Sequence, residues 1–229
     1  MERKYYLGFD AGTQSVKVAV YDDTLQCVAM DTAKTTLYYP HPGWVQMDID
    51  EYYRLIKQCM ASCSRQMREK GLDVQAVRAI MGDGIICGIA GIDAQGNAIT
   101  PYINYLDSRT AEDVQALKDK HYEIWAKETG NAEPNVMFPA MFARWFMKHI
   151  PAWKEKGVKF VHNCPYVLMH LAGLPGTDAF IDWGMIVRLG TRVPCSRKTL
   201  VGRTTAHIGN RYSVHAKNRQ ALGYHWHAA

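Results

Sequence analysis

The residues best placed to do chemistry stand together near the start of the chain. Asp10 ends an apolar run, Tyr5-Tyr6-Leu7-Gly8-Phe9, and Gly12, Thr13, Gln14 and Ser15 follow before a second run from Val16 to Tyr21. The pattern predicts two strands, 5–10 and 16–21, joined by a tight turn. Gly12 lets the backbone of that turn come close to a ligand. Thr13, Gln14 and Ser15 supply donors. Backbone N–H groups and hydroxyls in such a turn hold phosphate oxygens. A hard carboxylate oxygen holds magnesium, often through water. The same spacing also suits a plain hairpin with a polar turn, and the residues alone leave both readings open.

The elements that must position this turn follow in order. A third strand is predicted at 25–34, after a turn at Asp22-Asp23. An extended, proline-bearing loop covers 38–47. Asp48 with Glu51 resembles a capping box that opens a helix. Ile49, Tyr53, Ile56, Met60, Cys63 and Met67 then recur at spacings of four and three, one buried stripe that runs to a stop at Gly71. Val77 to Met81 reads as a strand. Ile85 to Ile92 and Ala98 to Tyr105 read as a hairpin around Asp93-Ala94-Gln95-Gly96-Asn97. After Asp107 the period turns helical: Val114, Leu117, His121, Ile124 and Trp125 share one face. Phe138, Met141, Phe142, Trp145, Phe146 and His149 belong to a further helix. A short strand at 158–161 precedes a helix at about 165–172. Strands and helices in this alternation predict an α/β fold, a mixed sheet with helices on its faces.

Other tempting groups read more simply. Gly82-Asp83-Gly84-Ile85-Ile86-Cys87-Gly88 has the wrong glycine spacing for a dinucleotide fingerprint. Cys59 and Cys63 lie on or beside the apolar stripe, and no nearby His or Cys completes a metal set, so they read as core thiols. His121 and His149 fall in helix stripes and read as core histidines, and Trp145 and Phe146 as packing residues. His225-Trp226-His227 reads as a disordered terminus before it reads as a metal site.

Composition bounds the class. The 229 residues are 48% hydrophobic and 21% charged, as a soluble domain with a real core is. No run of 18 apolar residues exists, so no membrane span is expected. The start lacks the apolar segment of a signal peptide, and the six scattered cysteines suit reduced thiols in the cytoplasm. Residues 188–229 carry eight Lys or Arg, four His and no Asp or Glu. All of the net positive charge therefore resides in that tail.

Four segments in order resemble one known family. Asp10-Ala11-Gly12-Thr13-Gln14-Ser15-Val16-Lys17 matches the first phosphate motif of the actin-like ATPases, Asp-x-Gly-Thr-x-x-x-Lys. Pro42-Gly43-Trp44-Val45-Gln46-Met47-Asp48 resembles a Gly-Trp stretch of the FGGY carbohydrate kinases, the xylulokinase and glycerol kinase group. Asn104-Tyr105-Leu106-Asp107-Ser108-Arg109-Thr110 resembles their Trp-x-Asp-x-Arg element. Leu174-Pro175-Gly176-Thr177-Asp178-Ala179-Phe180-Ile181-Asp182 resembles their Thr-Asp-x-Ser-Asp element. The resemblance implies a ribonuclease H-like domain over residues 1–187, the first of two that close on ATP and a sugar. Asp10 would then sit by the transferred phosphate and hold Mg2+ through water. Gly12, Thr13 and Gln14 would line the phosphates, and Lys17 would either add charge or brace the turn. Ile86 and Cys87 stand where xylulokinase-like members meet the sugar with a Gln-Met-His-Gly stretch. Here that stretch is Ile85-Ile86-Cys87-Gly88, a less polar wall, and the Arg-Glu pair of glycerol kinase is absent as well. Asp107 and Arg109 either touch the sugar or pair with each other to fix a loop.

The implied activity is ATP-dependent phosphorylation of a sugar or polyol, with ATP and Mg2+ as cofactors. The full-length family member is expected in the cytoplasm, off the membrane, as a possible homodimer. The tail, 188–229, departs from the family: no Asp or Glu follows Asp182, so the family's catalytic base and its second domain are missing. The tail's composition is what a shifted reading frame would give, and it is expected to be poorly packed. The alternative function is a non-enzymatic fragment whose basic tail binds nucleic acid or another acidic surface, although nucleic acid is not the expected partner.

Overall fold

The computed structural model describes residues 3–129, 133–150 and 159–180, with the side chains of 121–129 outside that description. The expectations for Asp182, for the tail at 188–229 and for the side chain of His121 lie outside the described residues.

The centre is a four-stranded mixed sheet in the order β3-β2-β1-β5. Strands β1 (Tyr5–Ala11), β2 (Ser15–Asp22) and β3 (Cys27–Lys34) form an antiparallel meander, and β5 (Val77–Gly84) lies parallel to β1. Period-two burial sets the register of β1. Tyr5, Leu7, Phe9 and Ala11 enter the core, while Tyr6, Gly8 and Asp10 face the other way. Helix α1 (Ile49–Glu69) and helix α4 (Asn163–Leu171) join those buried residues in one hydrophobic cluster. On the opposite face Tyr6, Tyr21, Met30 and Met81 are exposed.

Helix α1 forms where its stripe predicts. Ile49, Ile56, Met60, Cys63 and Met67 are buried, but the aromatic position that belongs to the core is Tyr52, with Tyr53 only partly covered. The cap is half of the expected box. The Asp48 carboxylate accepts from the Asp50 N–H, whereas Glu51 turns away to accept from the Thr36 N–H and hydroxyl. Cys59 and Cys63 are core thiols, which burial pushes up to about 11 and about 12 respectively.

Two sequence expectations need correction. First, the region 85–105 is not a continuous hairpin. Its turn forms, since Asp93 accepts from the Gly96 N–H and its own N–H donates to the Asn97 carbonyl. The arms then meet only through single bridges, Ile92 with Ala98 and Ile89 with Ile103. The N–H of Gly91 goes to the Thr100 hydroxyl, and Pro101 has no N–H to give. The ladders form elsewhere: β6 (Ala90–Ile92) pairs with β8 (Lys159–Val161), and β7 (Tyr102–Ile103) pairs with β4 (Gln46–Met47). Second, His149 is exposed on α3 (Pro139–His149), where its ring stacks on Trp145 with centroids 4.6 Å apart. It lies at the last turn, past the point where the helix's apolar side touches the core. Helix α2 (Ala111–Thr129) and α3 lie together, with Phe142 and Phe146 packed on Ile89 and Ile103.

Strand β5 also runs three residues further than its apolar run, through Gly82-Asp83-Gly84, because β1 pairs with it to the end. Gly82 lies under the Phe9 ring, and a Cβ there would stand 2.2 Å from Phe9 Cζ. Gly82→Ala is therefore expected to destabilise the chain by about 1–3 kcal/mol through overpacking of this sheet centre, as read by urea unfolding.

Candidate active site

The turn between β1 and β2 is held from behind by two side chains distant in sequence. Asn163, the first residue of α4, donates through Nδ2 to the Ala11 carbonyl at 2.7 Å. The Tyr52 hydroxyl donates to the Gly12 carbonyl at 3.1 Å, and burial raises its pKa well above the usual phenol value, so it stays protonated. The Gly12 N–H closes the turn on the Ser15 carbonyl at 3.1 Å. The Gly12 amide is therefore used inside the hairpin. The Thr13 and Gln14 carbonyls accept from the Thr35 hydroxyl and the Thr35 N–H. Among the described residues, nothing accepts from the N–H of Thr13 or of Gln14. The turn thus faces outward with two adjacent unused amide donors, the equipment for an anion.

Asp10 stands beside this turn at the end of β1. Lys17, its register partner on β2, places Nζ 3.5 Å from Asp10 Oδ2, and both side chains are largely exposed. A pair so open to water adds little stability, which leaves the carboxylate available to a metal. On the other side the register partner of Asp10 is Asp83, whose carboxylate accepts from the Gly84 N–H at 2.8 Å. A Cβ on Gly12 would meet Ser15 O at 2.9 Å and the two Asp10 oxygens at 3.5 and 3.7 Å. Glycine there keeps the space in front of the carboxylate clear.

That space is a cavity of about 350 Å³. Asp10, Gly12 and Thr13 form one end of it. Ile85, Ile86, Cys87, Tyr105 and Met137 form much of the rest. Of the site residues expected from sequence, the structure therefore gathers Asp10, Gly12, Thr13, Ile86 and Cys87 into one place. Gln14 and Lys17 flank it. Cys87 is buried at φ 72°, a left-handed conformation rare for a residue with a Cβ.

Asp107 and Arg109 do not line this cavity. They pair with each other, one of the two roles open to them in the sequence. Arg109 Nε lies 2.9 Å from Asp107 Oδ1 and its terminal nitrogen 2.7 Å from Oδ2, and neither side chain is more than 2% exposed. Asp107 Oδ2 also accepts from the Val45 N–H at 2.6 Å. The guanidinium sits over Trp44 at 3.9 Å, with Trp145 5.1 Å away. Ser108 adds its N–H to the Gly43 carbonyl. The segments 42–48 and 104–110 are thus clasped together, and Tyr105, two residues before Asp107, reaches the cavity.

Sequence reasoning missed Tyr52, Asn163, Tyr105 and Met137 at this site. Tyr105 lies inside a segment already singled out, so its position was a signal. Asn163 had none, because its partner is 152 residues away.

Behind Cys87 and Gly88 lie two buried polar side chains, Tyr102 and His162. Neither the Tyr102 hydroxyl nor either His162 ring nitrogen makes a hydrogen bond among the described residues, although both rings approach the Gly88 backbone. Burial lowers the His162 imidazole to about 4, with the Gly88 backbone opposing weakly.

A family model described as the FGGY family of carbohydrate kinases, N-terminal domain, matches residues 5–188. The chain belongs to that FGGY family. It is 27% identical over 156 residues to glycerol kinase of Myxococcus xanthus, covering 68% of this chain and 31% of the relative. It is 28% identical over 176 residues to xylulose kinase of Escherichia coli, covering 76% and 34%. The crystal structure of Plasmodium falciparum glycerol kinase with ADP superposes with a TM-score of 0.74 at 21% identity, over 82% of this chain and 37% of that one. Xylulose kinase from Rhodospirillum rubrum does so with a TM-score of 0.72 at 23% identity. These structures share the fold of this FGGY domain, and the mixed α/β architecture expected from the sequence is the one observed. The chain spans about a third of the length of the curated relatives it matches. Among the described residues, no helix is long and apolar enough to cross a membrane.

Two measurements follow from the buried groups of this FGGY domain. Asp107→Ala leaves the Arg109 charge buried without its partner and should cost about 3–5 kcal/mol of unfolding free energy by urea titration. His162 binds a proton less readily when folded, about 4 against 6.5. The unfolded chain therefore takes up more protons between those values, and stability falls as pH drops from about 6.5 to about 4. The full effect of such a shift is about 3 kcal/mol. Unfolding curves across that window should show the decline, and His162→Gln should flatten it.

Proposed function

We propose that residues 1–187 form the acceptor- and phosphate-binding domain of an ATP-dependent carbohydrate kinase, with 188–229 outside that domain. The enzyme would phosphorylate a hydroxyl of a sugar or polyol in the cytoplasm, with ATP and Mg2+ as cofactors. The observation that carries this reading is the juxtaposition, in the lining of one cavity, of Asp10 with Thr13, whose N–H and that of its neighbour Gln14 are unused among the described residues. Family membership supports it, and the relatives are a glycerol kinase and a xylulose kinase.

The residues present fit both cofactors. One exposed hard carboxylate beside a cleared glycine suits a magnesium ion that keeps most of its waters. Bound there, Mg2+ supplies charge neutralisation for the transferred phosphoryl group. Asp10 orients that ion, and the amides of Thr13 and Gln14 hold phosphate oxygens. Lys17 balances the Asp10 charge and adds a cation to the same edge. The Asp107–Arg109 clasp keeps Tyr105 and the loop before α1 in place, so the cavity holds its shape before an acceptor enters. Phosphoryl transfer needs this positioning more than it needs covalent chemistry. The general base is expected from outside these residues.

Titration of the 15N-labelled chain with Mg·ATP should shift the amide signals of Thr13 and Gln14. Asp10→Asn keeps the shape of the side chain and removes its charge. It should weaken that response by about 10–100-fold, the value of a charge-assisted contact. An unchanged response in Asp10→Asn would show that Asp10 only caps the turn.

A further inference from the structure

We propose that the acceptor presents an apolar flank to this chain: it is a sugar or polyol with a deoxy carbon, rather than a fully hydroxylated one. The inference rests on the reading of the cavity as the phosphoryl-acceptor site and names the class of molecule that the site takes.

The cavity is two-sided. Its polar end is Asp10, Gly12 and Thr13, where a reacting hydroxyl belongs. The same cavity is lined by Ile85, Ile86, Cys87 and Met137, and among these lining side chains only the Cys87 thiol has any hydrogen-bonding atom besides a thioether. Tyr105 contributes one hydroxyl at the margin. A sugar with a hydroxyl on every carbon would turn several of them against the isoleucine and methionine side chains. Each would lose water without gaining a partner, which is unfavourable. A methyl or methylene at the same place gains from leaving water.

The wall is also built to stay apolar. Ile86 is 44% exposed, a large aliphatic side chain held in the open at the cavity. Its neighbour Cys87 adopts the left-handed conformation and is buried, so the bend in the backbone separates an outward Ile86 from an inward Cys87. Such a conformation persists only where the surroundings impose it. The nearest polar side chains behind the bend, Tyr102 and His162, are sealed in and line no part of the cavity. Gly88 lies against the Tyr102 ring so closely that a Cβ there would stand 2.2 Å from the hydroxyl oxygen.

An apolar pocket discriminates against one added hydroxyl by at most about 100-fold. The test uses pairs that differ by a single hydroxyl: glycerol against propane-1,2-diol, and xylulose against 1-deoxyxylulose. The full chain is titrated with each while the methyl signals of Ile86 are followed by NMR. In at least one pair the deoxy member should bind about tenfold more tightly or better, with saturation transfer strongest on its methyl protons. Ile86→Gln, which alters an exposed position, should reverse or abolish that preference. Equal binding within both pairs, tighter binding of the hydroxylated members, or no binding of any of them overturns the proposal. The Thr13 and Gln14 response to Mg·ATP is measured on the same sample. If it persists while the deoxy preference fails, the phosphoryl-transfer reading stands and only the apolar flank is wrong. If it is absent, the functional reading itself fails.

Discussion

The site depends on where β1 stops and on what holds its last two carbonyls. The Ala11 carbonyl takes the Ile85 N–H at 3.2 Å as one partner, while the Gly12 carbonyl lies past the sheet and needs a donor of its own, since buried backbone acceptors are costly to leave unpaired. Asn163 adds a second donor to Ala11 from the start of α4, and Tyr52 donates to Gly12 from the first turn of α1. These two bonds tie the sheet, the long helix and the last described helix to one turn. Once the carbonyls are held inward, the N–H groups of Thr13 and Gln14 face outward. The two unused donors of the turn are thus a consequence of how its other side is fastened.

A second fastening works at the rim. Two segments some sixty residues apart meet because Asp107 accepts both from Arg109 and from the Val45 N–H. The guanidinium is then covered by two indole rings. A charge pair buried this fully is costly to desolvate and is costly to break once formed. Its stabilisation over an apolar alternative is small, but it fixes one geometry, and Tyr105 and the loop into α1 inherit it. The carboxylate at the mouth is different. Asp10 is half-exposed and paired only loosely with Lys17, so it keeps the freedom to bind an ion. The same chain therefore places one carboxylate in a buried brace and leaves another open to solvent beside the cavity, and burial is what separates them.

The sequence by itself determined the order and type of the elements. It also determined the turn that carries Asp10, because strand alternation and a helix stripe are local patterns that any nearby context must respect. The same local signals marked Cys59 and Cys63 as core thiols. They carried the family resemblance too, since its four segments are short. They were silent on pairings that cross the chain. Apolar alternation alone does not distinguish a hairpin at 85–105 from two arms that pair with β8 and β4; Pro101, which has no N–H, and the competing Thr100 hydroxyl were the local signs against it, and the partners β8 and β4 come only from the fold. The helical period put Tyr53 in the buried stripe, whereas Tyr52 is the residue that enters the core. One residue is 100° of rotation, and only the position of the sheet fixes the phase. The roles of Asp107 and Arg109 stayed open for the same reason. A carboxylate and a guanidinium two residues apart can face a ligand or each other, and the arrival of Val45, Trp44 and Trp145 settles it. Long-range contact, which the tertiary structure alone supplies, converted a list of plausible site residues into one cavity and one brace.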